Sequence, residues 1–192
     1  MGLFKILFRA FTKSTRKKQQ KPKQFYSPPA TSDIEKVRHQ NDLDRIQELP
    51  VVKVSHIIDG DTVIVISSSA KIKVRLDSID CPEDGQKWGD VATKGLVKLI
   101  GGKSVKFEGH GTDIYGRTLC TLFIHLPEKN EWQNVNERMV TLGHAWVMRM
   151  YYSHLPKTRQ QKLNQLERWA KSKRVGLWKT ENPIPPWKWR KQ

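Results

Sequence analysis

The sequence predicts an α+β fold, a small closed barrel of five strands with about three helices packed against it. Two observations carry that expectation. From Val51 the chain changes from polar, proline-bearing composition to short alternating runs of β-branched residues separated by turn-forming clusters. After the third such run, a segment of helical spacing with a Gly-Gly stop intervenes before two further strand-like runs. A helix inserted after the third of five strands is the pattern of a small closed barrel.

The chain opens with a basic segment. Residues 1–26 hold six Lys, two Arg and no acid, so they carry +8 of the net +16. A charge of that size attracts polyanions, which makes nucleic acid or an anionic membrane the expected partner. In "MGLFKILFRAFTK", Lys5, Arg9, Thr12 and Lys13 share one helical arc, while Leu3, Phe4, Ile6, Leu7, Phe8 and Phe11 fill the rest. That is a basic amphipathic helix, suited to peripheral contact of residues 1–13 with anionic lipid. The same stretch also fits a secretory signal interrupted by Arg9, an organelle transit peptide or a plain basic tail. Gly2 invites myristoylation, but Ile6 stands where Ser or Thr is wanted. The expected location is cytoplasmic or membrane-peripheral, with secretion or an organelle as alternatives.

Residues 14–33 have linker composition. The predicted division is an N-terminal segment and linker over 1–49, a domain over 50–179 and a Pro/Trp-rich basic tail over 180–192. The domain is expected to be a monomer. No apolar run approaches the roughly 18 residues of a membrane span. Cys81 and Cys120 are the only cysteines; they cannot make a disulfide framework and are expected in the core, with a single bridge left open.

Within the domain, "VVKVSHI" and "TVIVI" read as strands around an "IDGD" turn, and "AKIKVRLDSI" alternates after "SSS", giving a three-strand meander. "DVATKGLVKLIGG" reads as a helix, "KSVKFEGH" and "RTLCTLFIHL" as strands, and "NVNERMVTLGHA" and "KTRQQKLNQLERWAKSKRVGLW" as helices.

Carboxylates gather where the third strand runs into a loop. Asp61 begins the second strand, and Asp80 and Glu83 follow the third, so pairing of the strands brings all three to one end of the barrel. Such hard oxygen donors suit Ca²⁺ or Mg²⁺ rather than Zn²⁺. Arg75 precedes Asp80 by five residues, an odd number. The two therefore face opposite ways in a regular strand, and a bulge or the strand end must intervene if they are to converge. Arg117 stands at the start of a later strand after a Tyr-Gly turn, and the planar fork of arginine suits phosphate oxygens.

"IDGDTV", "VRLDSIDCPE", "TDIYGRTLC", "VNERMVTLGHAWV" and "RVGLW", in this order, resemble the thermonuclease family typified by staphylococcal nuclease. The resemblance spans residues 51–179. It implies an OB-type five-stranded barrel and a Ca²⁺-dependent nuclease that cleaves DNA and RNA to products with 3′-phosphates. It also implies that Asp61, Asp80 and the backbone carbonyl of Cys81 bind the metal. Arg75 and Arg117 then contact phosphate, with Glu83 as general base. By the same resemblance Asp113, Tyr115, Arg149 and Tyr151 lie against the nucleic acid, Arg149 standing where the prototype has a tyrosine. Asp77, Ser78 and Asp84 receive no task and are expected in outward or loop positions. The alternative from another class is a non-catalytic OB-fold domain that binds nucleic acid or protein. Such domains lack one or more of the five key residues, whereas Asp61, Arg75, Asp80, Glu83 and Arg117 are all present here.

Overall fold

The computed structural model describes residues 33–192. The amphipathic reading of residues 1–13 and most of the linker lie outside these residues. Strands β1 (Val51–Ile57), β2 (Thr62–Ser67) and β3 (Ala70–Leu76) form the antiparallel meander. The strands β5 (Ser104–Thr112) and β6 (Thr118–Leu126) follow after helix α2 (Gly89–Ile100). β5 pairs with β1, β6 with β5, and the first residues of β6 pair in parallel with the end of β3. Those five pairings close a mixed barrel, as the strand count and inserted helix predict. β4 (Ile79–Asp80) lies outside it and pairs with β8 (Trp146–Val147), while β7 (Glu131–Asn134) extends the sheet beyond β6.

Alternation decides which side chains fill the barrel. Val52 and Val54 of β1, Val63 and Val65 of β2, and Val74 and Leu76 of β3 are buried at every second position. β6 departs from alternation, with Cys120 to Ile124 buried without a break. The reason is cover on its outer face. The guanidinium groups of Arg45 and Arg159 lie over the Phe123 ring at 5.9 and 5.8 Å. Leu96 and Ile100 of α2 and Met139 and Val140 of α3 (Val135–Thr141) complete the core. α3 is capped by Asn134, whose side chain accepts the Glu137 N–H.

Helix α4 (Lys157–Ser172) packs against α3. It ends earlier than its sequence pattern predicts, and "RVGLW" forms a separate crossing. Gly143 and Gly176, at φ +65° and +60°, pass so close that a Cβ on Gly143 would lie 2.2 Å from the Val175 carbonyl oxygen. Leu177 N–H donates to the Gly143 carbonyl at 2.9 Å across this crossing.

Two features differ from the sequence reading. Residues Asp33–Glu48 form helix α1, which a boundary at residue 50 would cut away. Its end belongs to the barrel: Ile46 is buried, Arg45 pairs with Glu108, and Lys106 Nζ donates to the carbonyls of Gln47 and Leu49. Asp77 and Ser78 do not face outward but are buried at 4 % exposure each. Cys81 and Cys120 are both free thiols in the core.

Candidate active site

The site grows from two turns at one end of the barrel. In the first, Asp59 accepts the N–H groups of Asp61 and Thr62 at 2.9 and 2.7 Å, which bends the chain so that Asp61 enters β2 pointing inward. Gly60 is required there by close approach, since a Cβ would meet that of Cys81 at 2.6 Å. In the second, β3 ends at Leu76 and Ser78 takes the left-handed conformation at φ +62°. That residue breaks the alternation which would have sent Arg75 and Asp80 to opposite faces.

Arg75 therefore meets both carboxylates. Its Nη1 lies 3.1 Å from Asp61 Oδ2, and its Nη2 donates to Asp80 Oδ1 at 2.8 Å. Nη1 also donates to the Leu76 and Ile79 carbonyls at 2.9 and 3.0 Å, so the loop itself fixes the guanidinium. Asp61 Oδ2 accepts the Cys81 N–H at 2.7 Å. Burial pushes the Asp61 carboxyl up to about 7; Arg75 works against that rise, and the Asp59 and Asp80 carboxylates add to it. A further positive charge at this point relieves the crowding of two buried carboxylates. The Cys81 thiol is held well above its ordinary range by burial, then by Asp61, and its Sγ lies 3.1 Å from the Gly60 carbonyl. It stays protonated, leaving the residue only backbone atoms to offer.

Glu83 follows in the loop, its N–H donating to Gln86 Oε1 at 3.0 Å and its carboxylate half-exposed. Across a cleft of about 960 Å³ stands Arg117. The "TDIYGR" turn positions it through Asp113, whose Oδ1 accepts the Tyr115 and Arg117 N–H groups and whose Oδ2 accepts Arg117 Nε at 2.7 Å. Burial raises the Asp113 carboxyl, but these hydrogen bonds outweigh it and the net shift is downward. Arg117 is thus gripped by Nε, with no hydrogen bond from its Nη atoms to any described residue. Tyr115 and Tyr151 sit on the rim of the same cleft, 77 % and 63 % exposed.

Asp61, Arg75, Cys81, Glu83, Asp113, Tyr115, Arg117 and Tyr151 all line this one cleft, and Asp80 is tied to it through Arg75. Arg149 does not. Its Nη2 donates to the buried Glu167 carboxylate at 2.6 Å, which takes the guanidinium to α4. Asp113 shapes the turn and orients Arg117, with both of its oxygens engaged within the protein.

Further residues to which the sequence reading gives no task also border the cleft. Asp77 Oδ2 lies 2.8 Å from His154 Nε2 and accepts the Ser78 hydroxyl at 2.7 Å. His110 stacks near His154, ring centres 5.3 Å apart. Arg190 reaches Asp80 and Glu83 from the C-terminal tail. No local motif marks His110, His154 or Arg190; the tail's basic and aromatic composition is the one signal that pointed toward the last.

Comparison with known proteins agrees with this geometry. A family model described as "Staphylococcal nuclease homologue" matches residues 73–180. The chain is 40 % identical over 143 residues to an "Uncharacterized endonuclease" of Haemophilus influenzae, covering 74 % of this chain and 72 % of that protein. It is 36 % identical over 142 residues to a "Micrococcal nuclease" of Shigella flexneri, covering 72 % and 79 %. It is 36 % identical over 143 residues to "Protein ParB" of Escherichia coli, covering 73 % and 78 %. With the closed barrel, the carboxylate pair on Arg75, the family match over residues 73–180 and the similarity to nucleases over about 72–74 % of the chain together, the chain belongs to the staphylococcal nuclease family of nucleases.

Proposed function

We propose that the protein hydrolyses phosphodiester bonds of DNA and RNA with the help of Ca²⁺, leaving 3′-phosphate ends. The observation that carries this reading is the single guanidinium of Arg75 drawing two buried carboxylates, Asp61 and Asp80, into one cleft with Glu83 and Arg117.

The donor set fits a hard cation. Among the described residues no three His, Cys, Asp or Glu side chains are grouped to hold an ion; a metal bound here would draw on two carboxylates, a backbone carbonyl and solvent. Oxygen donors of that kind, completed by water, suit Ca²⁺. Asp61, Asp80 and the Cys81 carbonyl would hold it. When bound, it supplies Lewis-acid stabilisation of charge on the phosphate oxygens.

The chain's own residues do the rest. Glu83 takes a proton from the attacking water, directly or through a second water. Arg75, held rigid by two carbonyls, donates toward the equatorial oxygens as their charge grows. Arg117 presents its terminal nitrogens to the same oxygens and to the leaving 5′-oxygen. Tyr115 and Tyr151 offer ring faces to the bases without reading sequence.

The test is single-turnover cleavage of single-stranded DNA beside direct binding. Wild type should cut with Ca²⁺, stop in chelator and stay inactive with Zn²⁺. Glu83→Gln should cut far more slowly while binding at least as tightly. Full activity in chelator, or a Glu83→Gln variant cutting at the wild-type rate, would overturn the assignment. Tight binding without cleavage by wild type would favour the non-catalytic alternative.

A further inference from the structure

The C-terminal residues place in the cleft an arginine that the chemistry above does not use. Helix α5 (Pro186–Trp189) is seated by the buried Pro186 and by Trp187, which packs edge-on against Trp146 at 6.4 Å. Ahead of it, Gln86 Nε2 donates to the Ile184 carbonyl at 2.6 Å, while Oε1 of the same side chain accepts the Glu83 N–H. One buried glutamine thus ties the tail to the loop that carries the proposed base.

Arg190 follows the helix. Its Nη2 donates to Asp80 Oδ2 at 2.8 Å, its Nη1 lies 3.4 Å from Asp80 Oδ1, and Nη1 also donates to Glu83 Oε1. The fork therefore spans a carboxylate assigned to the cation and the carboxylate assigned to the proton. Carboxylate lone pairs engaged by N–H donors are less available to a metal, and a guanidinium and a dication drawn to the same carboxylate would repel.

We propose that residues 184–192 form a latch whose Arg190 competes with a divalent cation for Asp80 while covering Glu83, so that cation binding and release of the tail are coupled. The proposal rests on the cation reading given above. Coupling of this kind is reciprocal: whatever the tail does to cation affinity, the cation does to the tail.

The experiment uses the full chain and no substrate. Ca²⁺ binding is measured by calorimetry for wild type, Arg190→Ala, Arg190→Lys and Trp187→Ala, with folding checked by circular dichroism. Arg190→Ala should bind Ca²⁺ about tenfold more tightly, within the usual range of coupling between sites. Arg190→Lys, which keeps the charge and loses the fork, should fall between. Trp187→Ala leaves the arginine on a loosened tail and should also tighten binding. In wild type, saturating Ca²⁺ should speed hydrogen exchange at residues 184–192. Folded Arg190→Ala with unchanged or weaker Ca²⁺ affinity would overturn the latch and leave the cation site standing, as would tail exchange that slows with Ca²⁺. Failure of all four proteins to bind Ca²⁺ would remove the cation site and the latch together.

Discussion

Replacing Arg149 by alanine should weaken the fold and leave catalysis intact. Glu167 is 1 % exposed and accepts from Arg149 Nη2 at 2.6 Å, Lys171 Nζ at 3.0 Å and the Val147 N–H at 3.0 Å. Burial pushes this carboxyl up, but the three donors together, Arg149 first, hold it below its ordinary 4.5. Leaving a buried charge with no partner costs about 3–5 kcal/mol. Here Lys171 and the Val147 N–H remain, and the Arg149 side chain is 48 % exposed, so solvent screens part of the pairing. The expected loss is about 1–2 kcal/mol, or roughly 2–8 °C in Tm for a domain of this size. The sign with pH follows from linkage. A carboxyl with a depressed folded pKa stabilises fully above its unfolded value and loses that contribution as pH falls through the folded value. The gap between wild type and Arg149→Ala should therefore be widest near neutrality and shrink in acid below the ordinary 4.5. Urea denaturation at both pH values, beside KM for single-stranded DNA, decides the matter. An unchanged midpoint with a several-fold higher KM would refute the structural assignment and return Arg149 to the nucleic-acid face.

Three further outcomes are expected. Arg117→Lys keeps the charge but loses the fork and the Asp113 contact at Nε, so single-turnover kcat should fall about 10²–10³-fold with a modest change in affinity; a variant cutting at the wild-type rate would remove Arg117 from the chemistry. Gly143→Ala forces a side chain into a left-handed position 2.2 Å from a backbone oxygen; thermal denaturation should show a loss above about 3 kcal/mol, and a wild-type Tm would refute the close crossing. Removing residues 1–32 deletes the +8 segment; binding to DNA should depend less steeply on salt while turnover at saturating substrate survives, and an unchanged salt slope would show that this charge does not meet phosphate.

The barrel was legible because its signal is local: alternating Val and Ile runs fix which face is inside, and the Gly-Gly stop fixes where α2 ends. Most of the cleft was legible for the same reason, since Asp61, Arg75, Asp80 and Glu83 lie within 23 consecutive residues of two adjoining turns. Parity flagged the one conflict, between Arg75 and Asp80. Its resolution, a serine at positive φ, has no sequence signature, because serine is an unremarkable strand or loop residue in itself. Residue type alone did not place Arg149, whose destination depends on Glu167 eighteen positions later. α1 has no strong sequence signal: among its described side chains Ile46 is the buried one, and the helix end is held by Arg45 and Lys106, long polar side chains that carry no periodic pattern. Arg190 lies 107 residues from Glu83 in sequence and reaches it through tryptophan packing and one glutamine, contacts that no local pattern encodes.

The charge pattern of the cleft gives these placements a common logic. Arg117 is matched by Asp113, so that pair adds no net charge. Asp61, Asp80 and Glu83 are then faced by Arg75 and Arg190, which leaves one negative charge in excess when Asp61, whose carboxyl is pushed up to about 7, is ionised, in a protein whose formal charge is +16. A cleft so poised repels phosphate at close range even as the surrounding protein attracts it. Exchange of Arg190 for a dication makes the same cluster neutral and frees the Glu83 carboxylate from its guanidinium. Phosphate then meets Arg75 and Arg117 without an opposing field. Under the proposed cation reading, the step that loads the metal is therefore also the step that makes the cleft receptive to its substrate. The tail arginine sets how much cation that step requires.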